Sequence, residues 1–390
     1  MKILSVVGAR PNFIKIAPFI RAIEHYNKNN PTSKIFHRLI HTGQHYDDRM
    51  SKAFFESLDI PEPDINLGIG SGSHAEQVGN TMISFEKIVM QEKPDWVVVV
   101  GDVNATLACS VTAKKLNVKV CHIEAGLRSG DMSMPEEINR LVTDRLSDLL
   151  LTPDRLSSQN LLNEGILENK IKFVGNIMID TLFRNLGKAL KMEIFDVIVN
   201  NLIKPASSKE KLHNSFHFNE GFAILTVHRP SNVDKYETLK GILDFVIDEV
   251  AADMPVVWPV HPRTNKMLHS FGLWEKAAGC KNLLLLHPIG YNEMLRLNAD
   301  AKIMLTDSGG LQEECCVLGT PCLTLRWNTE RPITLKQHGG ASVLVGNNVE
   351  NIRKAYQNEL KTNRIPQKPE LWDGKTAVRC VDVIINYSVK

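Results

Sequence analysis

Residues 303–314 read Ile-Met-Leu-Thr-Asp-Ser-Gly-Gly-Leu-Gln-Glu-Glu, a short apolar run that leads directly into a Ser-Gly-Gly segment. The apolar run is typical of a buried strand, and Ser308 can cap the helix that begins after it. Gly309 and Gly310 let backbone amides approach a phosphate closely, and Glu314 can face a pair of ribose hydroxyls. A plain connection does not need two glycines, so the stretch predicts a strand and a helix with a phosphate site at the turn between them.

Similar apolar runs alternate with helical patterns along the whole chain, as in parallel sheets that helices cover on both faces. In the first half we predict strands at 2–7, 35–41, 96–100, 118–124, 149–152 and 171–174. In the second half the pattern restarts, with strands at 222–227, 256–260, 283–286, 303–306 and 322–325. The predicted fold class is therefore α/β, with two Rossmann-like, doubly wound domains.

The restart of the pattern sets the domain boundaries. We predict an N-terminal domain over residues 1–175 and a C-terminal domain over residues 176–365, with a surface loop near 204–219. The final segment, 366–390, contains apolar residues at helical spacing. We expect this segment to form a helix that joins the N-terminal domain.

Composition and charge exclude several classes of protein. Lys and Arg together number 46 and Asp and Glu 44 in 390 residues, so the net charge of +2 offers no basic surface for duplex nucleic acid. The 7 cysteines contain no C-x-x-C pair and lie mostly in apolar runs, which indicates reduced core residues. No apolar run approaches the length of a membrane span. We expect a cytoplasmic protein without a nucleic-acid or membrane partner.

Ligands of doubly wound sheets bind beyond the carboxyl ends of the strands, so polar residues that follow the predicted strands are the candidates for a site. The first such stretch, residues 8–15 (Gly-Ala-Arg-Pro-Asn-Phe-Ile-Lys), has one glycine and is not the G-x-G-x-x-G of dinucleotide binding. Arg10 and Lys15 near a helix N-terminus instead suit a diphosphate. Two solvated basic residues on a first turn are an equally good interpretation. Pro18 should kink or split this helix.

Three acidic residues, Asp102, Glu124 and Glu136, stand at or shortly after the ends of other predicted strands. Carboxylates gathered at one edge of a sheet raise one another's pKa, which allows a carboxyl group to act as an acid or base near neutral pH. Each residue also has a structural alternative. Asp102 can cap the next helix, Glu124 can pair with Arg128, and Glu136 can interact with a helix dipole. Three carboxylates together favour acid/base chemistry on a bound ligand.

In the second half, His228 follows a predicted strand and stands beside Arg229, which makes it a candidate contact for a diphosphate. His261 has a similar position before Pro262, where a role in a rigid turn is equally plausible. The chain contains no H-E-x-x-H, Walker A or G-x-S-x-G motif. We therefore expect neither a metal site nor serine-hydrolase chemistry.

These motifs together resemble those of the non-hydrolysing UDP-N-acetylglucosamine 2-epimerases, in order and rough spacing over nearly the whole chain. The matching segments are 8–11 (Gly-Ala-Arg-Pro) with Lys15, 42–45 (Thr-Gly-Gln-His), 101–102 (Gly-Asp), 122–128 (His-Ile-Glu-Ala-Gly-Leu-Arg), 135–140 (Pro-Glu-Glu-Ile-Asn-Arg), 228–229 (His-Arg), 307–314 (Asp-Ser-Gly-Gly-Leu-Gln-Glu-Glu) and 329–332 (Thr-Glu-Arg-Pro). Hydrolysing relatives open with Gly-Ser-Arg-Ala-Glu, so the Ala-Arg-Pro of the first segment favours the reversible branch.

The resemblance implies a GT-B architecture, in which two Rossmann-like domains face each other across a cleft, and a homodimer. It also implies reversible inversion at C2 of a UDP-sugar substrate, UDP-GlcNAc giving UDP-ManNAc, with no nicotinamide or other cofactor. The implied catalytic residues are Asp102, Glu124, Glu136 and His228. The implied substrate-binding residues are Arg10, Lys15, Arg140, Met294, Ser308, Gly309, Gly310, Glu314 and Arg331.

The chain departs from the family pattern at three places. Residues 228–232 read His-Arg-Pro-Ser-Asn where many members have His-Arg-Arg-Glu-Asn. Met294, with Tyr291 nearby, stands where many members place an aromatic residue against the uracil. Residues 75–78 (Ala-Glu-Gln-Val) lack the arginine of members that a second UDP-GlcNAc activates, although Gln44 is present.

The chemistry of such a reaction can be argued from the substrate. A C2–H bond with no carbonyl next to it is very weakly acidic, so inversion without a redox cofactor requires UDP to leave C1 as C2 is deprotonated, and then to add again. Cations and helix amides stabilise the charge that develops on the departing diphosphate. Protonation from the opposite face requires two acid/base groups, drawn from the three carboxylates.

Other functions fit the same motifs. Related enzymes invert C2 of other UDP-2-acetamido sugars, including diacetamido-uronates and deoxysugars. A GT-B glycosyltransferase uses the same kind of UDP site but transfers the sugar to an acceptor. A non-catalytic sensor of nucleotide sugars needs the binding site alone.

Overall fold

The computed structural model describes residues 1–43, 61–203 and 221–388. The chain forms two compact units. The first unit consists of Met1–Arg184 with Pro369–Lys390, and the second unit consists of Asn185–Lys368. The surface loop predicted near 204–219 lies outside the described residues.

The first unit contains a parallel sheet of seven strands. The strands are β1 (Lys2–Val7), β2 (Phe36–His41), β3 (Ile65–Asn66), β4 (Trp96–Val100), β5 (Lys119–Ile123), β6 (Leu149–Thr152) and β7 (Ile171–Phe173). Their order is β3-β2-β1-β4-β5-β6-β7. The helices up to the second unit are α1 (Arg10–Asn29), α2 (His74–Glu92), α3 (Asn104–Lys115), α4 (Pro135–Leu146), α5 (Arg155–Asn163) and α6 (Ile177–Ala189), with a 3-10 turn at Glu168–Lys170.

The second unit contains a parallel sheet of six strands. The strands are β8 (Ala223–Thr226), β9 (Val256–Pro259), β10 (Leu283–Leu286), β11 (Ile303–Thr306), β12 (Cys322–Thr324) and β13 (Ser342–Leu344), in the order β10-β9-β8-β11-β12-β13. The helices are α7 (Ile194–Asn201), α8 (Pro230–Val233), α9 (Tyr236–Phe245), α10 (Ala251–Asp253), α11 (Pro262–Ser270), α12 (Trp274–Gly279), α13 (Tyr291–Asp300), α14 (Gly309–Leu318) and α15 (Val349–Glu359). A π-helical turn at Val246–Val250 joins α9 to α10, and 3-10 turns lie at Pro332–Thr334 and Lys336–His338. Helix α16 (Thr376–Ser388) returns to the first unit.

The predicted fold class, two doubly wound α/β units, is confirmed, and every predicted strand is present with ends within one residue. The central strands could be predicted because helices bury both of their faces, which makes their sequences continuously apolar. Strands β3 and β13 were not predicted. Both are short strands at the edge of a sheet, where partial exposure leaves no apolar run.

The strand order reverses between β1 and β4 in the first sheet and between β8 and β11 in the second. At such a switch point the connections leave the sheet in opposite directions and open a crevice at the carboxyl ends of the strands. In the first unit this point lies beside residues 8–15 and 101–106, and in the second beside residues 227–232 and 307–310. Each sheet therefore presents polar motifs that the sequence singles out.

Pro18 does not split α1, which runs without interruption from Arg10 to Asn29. A proline has no N–H, so the carbonyl of Ile14, four residues earlier, loses its helical donor. The hydroxyl of Thr181 on α6 donates a 2.7 Å hydrogen bond to that carbonyl instead. We predicted a kink or a split, and the helix is not split, because a side chain distant in sequence supplies the missing donor.

Helices α6 and α16 are tied together within the first unit. The carboxylate of Asp180 accepts hydrogen bonds from the backbone N–H groups of Thr376 (3.1 Å) and Ala377 (2.7 Å) at the start of α16. Near its end, the ring of Tyr387 lies 5.6 Å from that of Trp96. These contacts explain why the division falls inside α6, after residue 184, whereas the sequence places it at 176.

The 7 cysteines are all free thiols, and all but Cys280 are buried. They occupy core positions, as their apolar surroundings in the sequence predict. Within residues 1–43, 61–203 and 221–388, no helix has the length and apolar character needed to cross a membrane.

Candidate active site

An ion pair between Lys15 and Glu124 lies at the carboxyl edge of the first sheet. Nζ of Lys15, in the second turn of α1, donates a hydrogen bond to Oε2 of Glu124, which follows β5 directly. Both side chains are buried, with 9% and 2% of their surfaces exposed. The predicted alternative partner, Arg128, instead forms ion pairs with Asp144 and Glu164.

Gly101 allows these side chains to come together. Its φ of +71° lies in the left-handed region, and an added methyl group would lie 3.3 Å from Nζ of Lys15 and 3.5 Å from Oε2 of Glu124. The same methyl group would lie 3.1 Å from Nδ2 of Asn12, which donates a 2.9 Å hydrogen bond to the carbonyl of Val100. The start of α1 is therefore held against the end of β4.

Asp102 pairs with Arg140 of helix α4. Nη1 of Arg140 donates a 2.5 Å hydrogen bond to Oδ2 of Asp102, and Nδ2 of Asn139 donates a 2.9 Å hydrogen bond to the Asp102 carbonyl. The carboxylate of Asp102 remains 25% exposed, whereas Arg140 is almost fully buried. Asp102 does not cap the next helix, because the N-cap position of α3 is Val103 and no side chain caps it.

The two adjacent glutamates at the start of α4 differ in their surroundings. Glu136 is partly exposed and makes no hydrogen bond or ion pair with other residues of the described ranges. Glu137 is buried, binds Arg140, and accepts a 2.9 Å hydrogen bond from the N–H of Gly130. Although burial opposes ionisation, the hydrogen bonds from Arg140, Ser129 and Gly130 lower the pKa of Glu137.

Glu137 was missed by the sequence analysis, although it links Arg140 to the site. The available signal was its spacing of three residues from Arg140 on a predicted helix, which places both side chains on one face. Glu136 is the carboxylate of the pair that is available to a ligand.

Asp307 organises the turn after β8 in the second unit. Its buried carboxylate accepts hydrogen bonds from the backbone N–H groups of His228 (2.9 Å) and Arg229 (2.8 Å) and from Nδ2 of Asn232 (3.0 Å). Nδ1 of His228 lies 2.8 Å from Oδ1 of the same carboxylate. Burial raises the pKa of Asp307, but the hydrogen bonds and charge of His228 and the N–H of Arg229 outweigh it and keep the group ionised.

The orientation of His228 follows from this contact. Because Nδ1 donates to an ionised carboxylate, Nε2 is the ring nitrogen that a ligand can reach, and the side chain is 36% exposed. His261, whose ring centroid lies 5.2 Å away, has the structural role that the sequence allowed. Its Nδ1 accepts a 3.1 Å hydrogen bond from the N–H of Arg263 and caps α11.

Ser308 precedes helix α14, but its hydroxyl does not cap the helix. Its backbone N–H donates a 3.0 Å hydrogen bond to Oγ1 of Thr306. A methyl group at Gly309 would lie 2.5 Å from Nη1 of Arg331 and 2.7 Å from Oε1 of Glu330. Glycine is therefore required here by an arginine and a glutamate of this unit, and the Ser308 hydroxyl stays available beside the helix N-terminus.

A cluster of arginines surrounds Glu330. Nη2 of Arg326 lies 2.7 Å from Oε2 of Glu330, and Nη1 of Arg331 binds Oε1. Nε of Arg331 also lies 2.9 Å from Oε1 of Glu313. Although burial opposes ionisation, the charges of Arg331, Arg326 and Arg229 hold the pKa of Glu330 well below its usual range. Arg331 therefore lies beside Gly309 at the start of α14, where it is paired with two carboxylates.

Glu314 lies on the buried side of α14, with 4% of its surface exposed. Burial raises its pKa from 4.5 to about 7, against the effect of the nearby Tyr291 hydroxyl. Tyr291 begins α13, and Met294 stands in the first turn of the same helix, partly buried. The two helices pack against each other, which brings the predicted uracil and ribose contacts to one region of the second unit.

Several predicted residues lie outside what the structure describes. Gln44 and His45 belong to residues 44–60, and only the backbone of Arg10, the first residue of α1, is described.

Gly310 lies in the first turn of α14, as predicted from the sequence. In the described part of the chain, no three His, Cys, Asp or Glu side chains form a group that could hold a metal ion.

The chain is similar over most of its length to proteins of one family. A family model described as UDP-N-acetylglucosamine 2-epimerase matches residues 27–385. The chain is 43% identical over 385 residues to the UDP-N-acetylglucosamine 2-epimerase of Methanocaldococcus jannaschii, covering 98% of this chain and 99% of that protein. It is 39% identical over 351 residues to the UDP-2,3-diacetamido-2,3-dideoxy-D-glucuronate 2-epimerase of Pseudomonas aeruginosa, covering 89% and 88%. The crystal structure of the M. jannaschii enzyme in complex with UDP-GlcNAc and UDP superposes with a TM-score of 0.85 at 43% identity, covering 99% of this chain and 100% of that one.

Proposed function

Because this chain belongs to the UDP-N-acetylglucosamine 2-epimerase family, we propose that it reversibly inverts C2 of UDP-GlcNAc to give UDP-ManNAc. The family is one of isomerases, so the reaction needs no second substrate. The relative from M. jannaschii is similar over its full length and binds UDP-GlcNAc and UDP in its crystal structure. This similarity supports UDP-GlcNAc as the substrate of this chain.

The observation that carries the proposal is the pairing of two strand-end carboxylates with buried cations. Glu124 is paired with Lys15, and Asp102 is paired with Arg140, at the carboxyl ends of neighbouring strands. Glu136 supplies a third carboxylate from the start of α4. A protein that only binds UDP-sugars does not require three carboxylates beside the sugar. A reaction with two proton transfers requires such acid/base groups.

The reaction proceeds by elimination and re-addition. One carboxylate removes the proton from C2, the electron pair of the C2–H bond forms a C1–C2 double bond, and the C1–O bond breaks as UDP leaves with its electrons. A second acid then protonates C2 from the opposite face while a diphosphate oxygen adds to C1 again. We draw these two groups from Asp102, Glu124 and Glu136.

We propose that the second unit binds the UDP. The Ser308 hydroxyl and the first N–H groups of α14, around Gly309 and Gly310, suit the phosphates. We assign Nε2 of His228 and the guanidinium of Arg331 to contacts with the diphosphate, because the first is accessible and the second lies beside Gly309. We further propose that Glu314 contacts the ribose and that Met294 contacts the uracil.

The test is deuterium exchange. Purified protein is incubated in deuterated water with UDP-GlcNAc alone, and deuterium at C2 is followed by mass spectrometry and proton NMR. We expect exchange together with the appearance of UDP-ManNAc, and its loss in Glu124→Gln. Glu370→Gln is the matched control, because this glutamate forms an exposed ion pair with Arg155 in the same unit. An unlabelled pool after prolonged incubation contradicts the proposal.

A second candidate substrate is a UDP-diacetamido-uronate, because one relative at 39% identity carries that name. The exchange experiment is therefore repeated with a panel of UDP-acetamido sugars, including UDP-2,3-diacetamido-glucuronate. Exchange with the uronate alone moves the assignment to that sugar. No exchange with any sugar, but transfer when an acceptor is added, identifies a glycosyltransferase. Binding without either reaction identifies a sensor.

We also propose that the protein is a homodimer in the cytoplasm. Ile83 and Met90 on α2 are 59% and 62% exposed, and Ile138 and Val142 on α4 are 45% and 36% exposed. Helices α2 and α4 both pack against α3, so these apolar side chains belong to one surface of the first unit. The free cysteines support a reducing compartment.

A further inference from the structure

A buried pair formed by His122 and Asp144 has no part in the proton transfers described above. His122 lies on β5, two residues before Glu124, and Asp144 lies on α4. Their side chains are 0% and 1% exposed. Nδ1 of His122 lies 2.6 Å from Oδ1 of Asp144, and Nε2 lies 2.8 Å from the carbonyl oxygen of Gly101.

Both ring nitrogens of His122 therefore face oxygen atoms that accept hydrogen bonds. A backbone carbonyl can only accept. Burial favours the neutral form of Asp144, but the charges and hydrogen bonds of His122 and Arg128 outweigh it and lower the pKa of this carboxyl. The carboxylate is thus ionised and accepts a hydrogen bond from Nδ1 of His122. The ring lies between Asp144 and the Gly101 peptide and is within hydrogen-bond distance of both.

The second oxygen of Asp144 contacts the other catalytic turn. Oδ2 accepts a 3.1 Å hydrogen bond from the N–H of Gly126 and lies 2.7 Å from Nη1 of Arg128. Gly126 comes two residues after Glu124 in the chain. The carboxylate of Asp144 is therefore bonded directly to the turn that carries Glu124. Through His122 it is also linked to Gly101, the residue that precedes Asp102.

The Glu124 turn needs such support because its backbone is strained. Glu124 has a φ of +75°, which is unusual for a residue with a side chain. Gly126 of the same turn and Gly101 of the Asp102 turn are also left-handed, which glycine allows. A methyl group at Gly126 would lie 2.3 Å from the carbonyl oxygen of Ser157, so its path is fixed by neighbours. Strained backbone of this kind persists only where the surroundings determine it.

We infer that His122 and Asp144 are positioning residues, which hold the Asp102 turn and the Glu124 turn at a fixed separation. This inference rests on the proposed function, because it assigns the two turns to one reaction. The pair does not touch the sugar in this scheme. Its loss displaces the carboxylates and so slows the chemical step, while UDP binding in the second unit is unaffected.

The experiment compares Asp144→Asn and His122→Asn with a matched control, Asp148→Asn. Asp148 accepts hydrogen bonds from the N–H of Val120 (2.8 Å) and from Nζ of Lys114 (2.9 Å) at the opposite end of β5. Like Asp144, it is therefore bonded to a backbone N–H and to a basic side chain, but it lies away from the turns that carry Asp102 and Glu124. For each variant we measure kcat and KM for UDP-GlcNAc, C2 exchange, the Kd of UDP-GlcNAc, and the midpoint of thermal unfolding.

We expect kcat to fall about 10- to 100-fold in Asp144→Asn and His122→Asn, since removal of an orienting partner and small misplacements have effects of this size. The Kd should stay within about threefold of the wild-type value, and Asp148→Asn should keep its kcat within about twofold. Because the two residues act as one unit, the kcat of the double variant should lie within about threefold of the kcat of the slower single variant. A wild-type kcat in Asp144→Asn, or an equal loss in Asp148→Asn, overturns the inference. If Asp144→Asn does not fold, His122→Asn is judged by the same criteria.

A second measurement does not depend on activity. In wild-type protein labelled with ¹⁵N-histidine, a ring N–H proton of His122 should be protected from exchange with solvent, because the side chain is 0% exposed and lies between two oxygen atoms. His122→Asn provides the assignment, and a ring N–H that exchanges as fast as that of an exposed histidine overturns the inference. A wild-type protein that fails to exchange C2 contradicts the proposed function, whereas this spectrum still decides whether the His122 ring is held in place.

Discussion

The carboxylate of Asp102 accepts a 2.5 Å hydrogen bond from Nη1 of Arg140, a guanidinium that is only 2% exposed. Arg140 also binds Glu137, so one planar fork orients two acids at once. We expect Arg140→Lys to lower kcat/KM about 10- to 100-fold, because a lysine ammonium cannot reproduce a two-sided contact. Steady-state kinetics with UDP-GlcNAc tests this. Arg155→Lys, at an exposed ion pair, is the control, and equal activity in the two variants would contradict the role of Arg140.

Glu124→Gln should reduce kcat about 10²- to 10⁴-fold, the usual contribution of a general acid or base. Binding of UDP-GlcNAc, measured by titration calorimetry, should stay within about threefold, because the glutamine keeps the shape of the side chain. A variant that still turns over within about fivefold of wild type would remove Glu124 from the catalytic set.

The same substitution should also destabilise the fold. Lys15 is buried with Glu124, and an ammonium left without its carboxylate partner costs about 3–5 kcal/mol. The double variant Lys15→Met/Glu124→Gln should recover much of this stability in urea unfolding without recovering activity. Recovery of activity together with stability would mean that the single variant is inactive because it is unfolded.

Ser308→Ala should separate ligand binding from stability. The Ser308 hydroxyl makes no capping hydrogen bond, so its removal should change the free energy of unfolding by less than about 0.5 kcal/mol. The Kd for UDP should rise about fivefold to tenfold, for the loss of one hydrogen bond to phosphate. Asp154→Ala is the opposite case, since Asp154 caps α5 through a 2.7 Å bond to the N–H of Ser157. This control should lose about 1 kcal/mol of stability and leave UDP binding unchanged.

Glu314 makes stability depend on pH in a direction that can be calculated. Its pKa is raised from 4.5 to about 7, so between these values the folded protein keeps a proton that the unfolded chain has released. Stability therefore falls as pH rises through this window, by a total on the order of 3 kcal/mol. Glu314→Gln cannot titrate. Its unfolding midpoint relative to wild type should rise from pH 5 to pH 8. A difference between the two midpoints that stays constant over this range contradicts the raised pKa of Glu314.

We predict that the apolar surface on α2 and α4 is the dimer interface, and that charged substitutions on this surface prevent dimerisation. Ile83→Arg combined with Met90→Arg places two cations where apolar side chains are 59% and 62% exposed. Light scattering should show a dimer for wild type and a monomer for the double variant. Leu167→Arg, at a position 65% exposed elsewhere in the first unit, should remain dimeric. Dimers in all three proteins would place the interface on another surface.

The sequence predicted the strands well because buried parallel strands are apolar along their whole length, as in Trp96–Val100. It predicted the candidate carboxylates because they follow those strands directly. It did not predict the partners of these carboxylates, since Lys15 and Glu124 are separated by 109 residues and Asp102 and Arg140 by 38. Contacts at such separations depend on how strands are ordered in the sheet, which local patterns do not encode.

The same limit explains the errors. Helix α1 is not split at Pro18, because Thr181, 167 residues from Ile14, donates to the freed carbonyl. Asp144 and Asp307 were not selected as site residues, because a single carboxylate on a helix or beside a serine has no local signature. Their functions as acceptors for several N–H groups become visible only when the turns around them are seen together.

Helix α16 completes the first unit although 184 residues of the second unit, Asn185–Lys368, precede it in the chain. During synthesis on the ribosome, the N-terminal sheet is therefore made first but waits for its last helix until the whole second unit has emerged. Until then, Trp96 lacks the ring of Tyr387 that covers it in the finished protein. A nascent chain stalled near residue 365 should thus expose apolar surface from the half that was translated earliest, and this is the surface on which a chaperone would act.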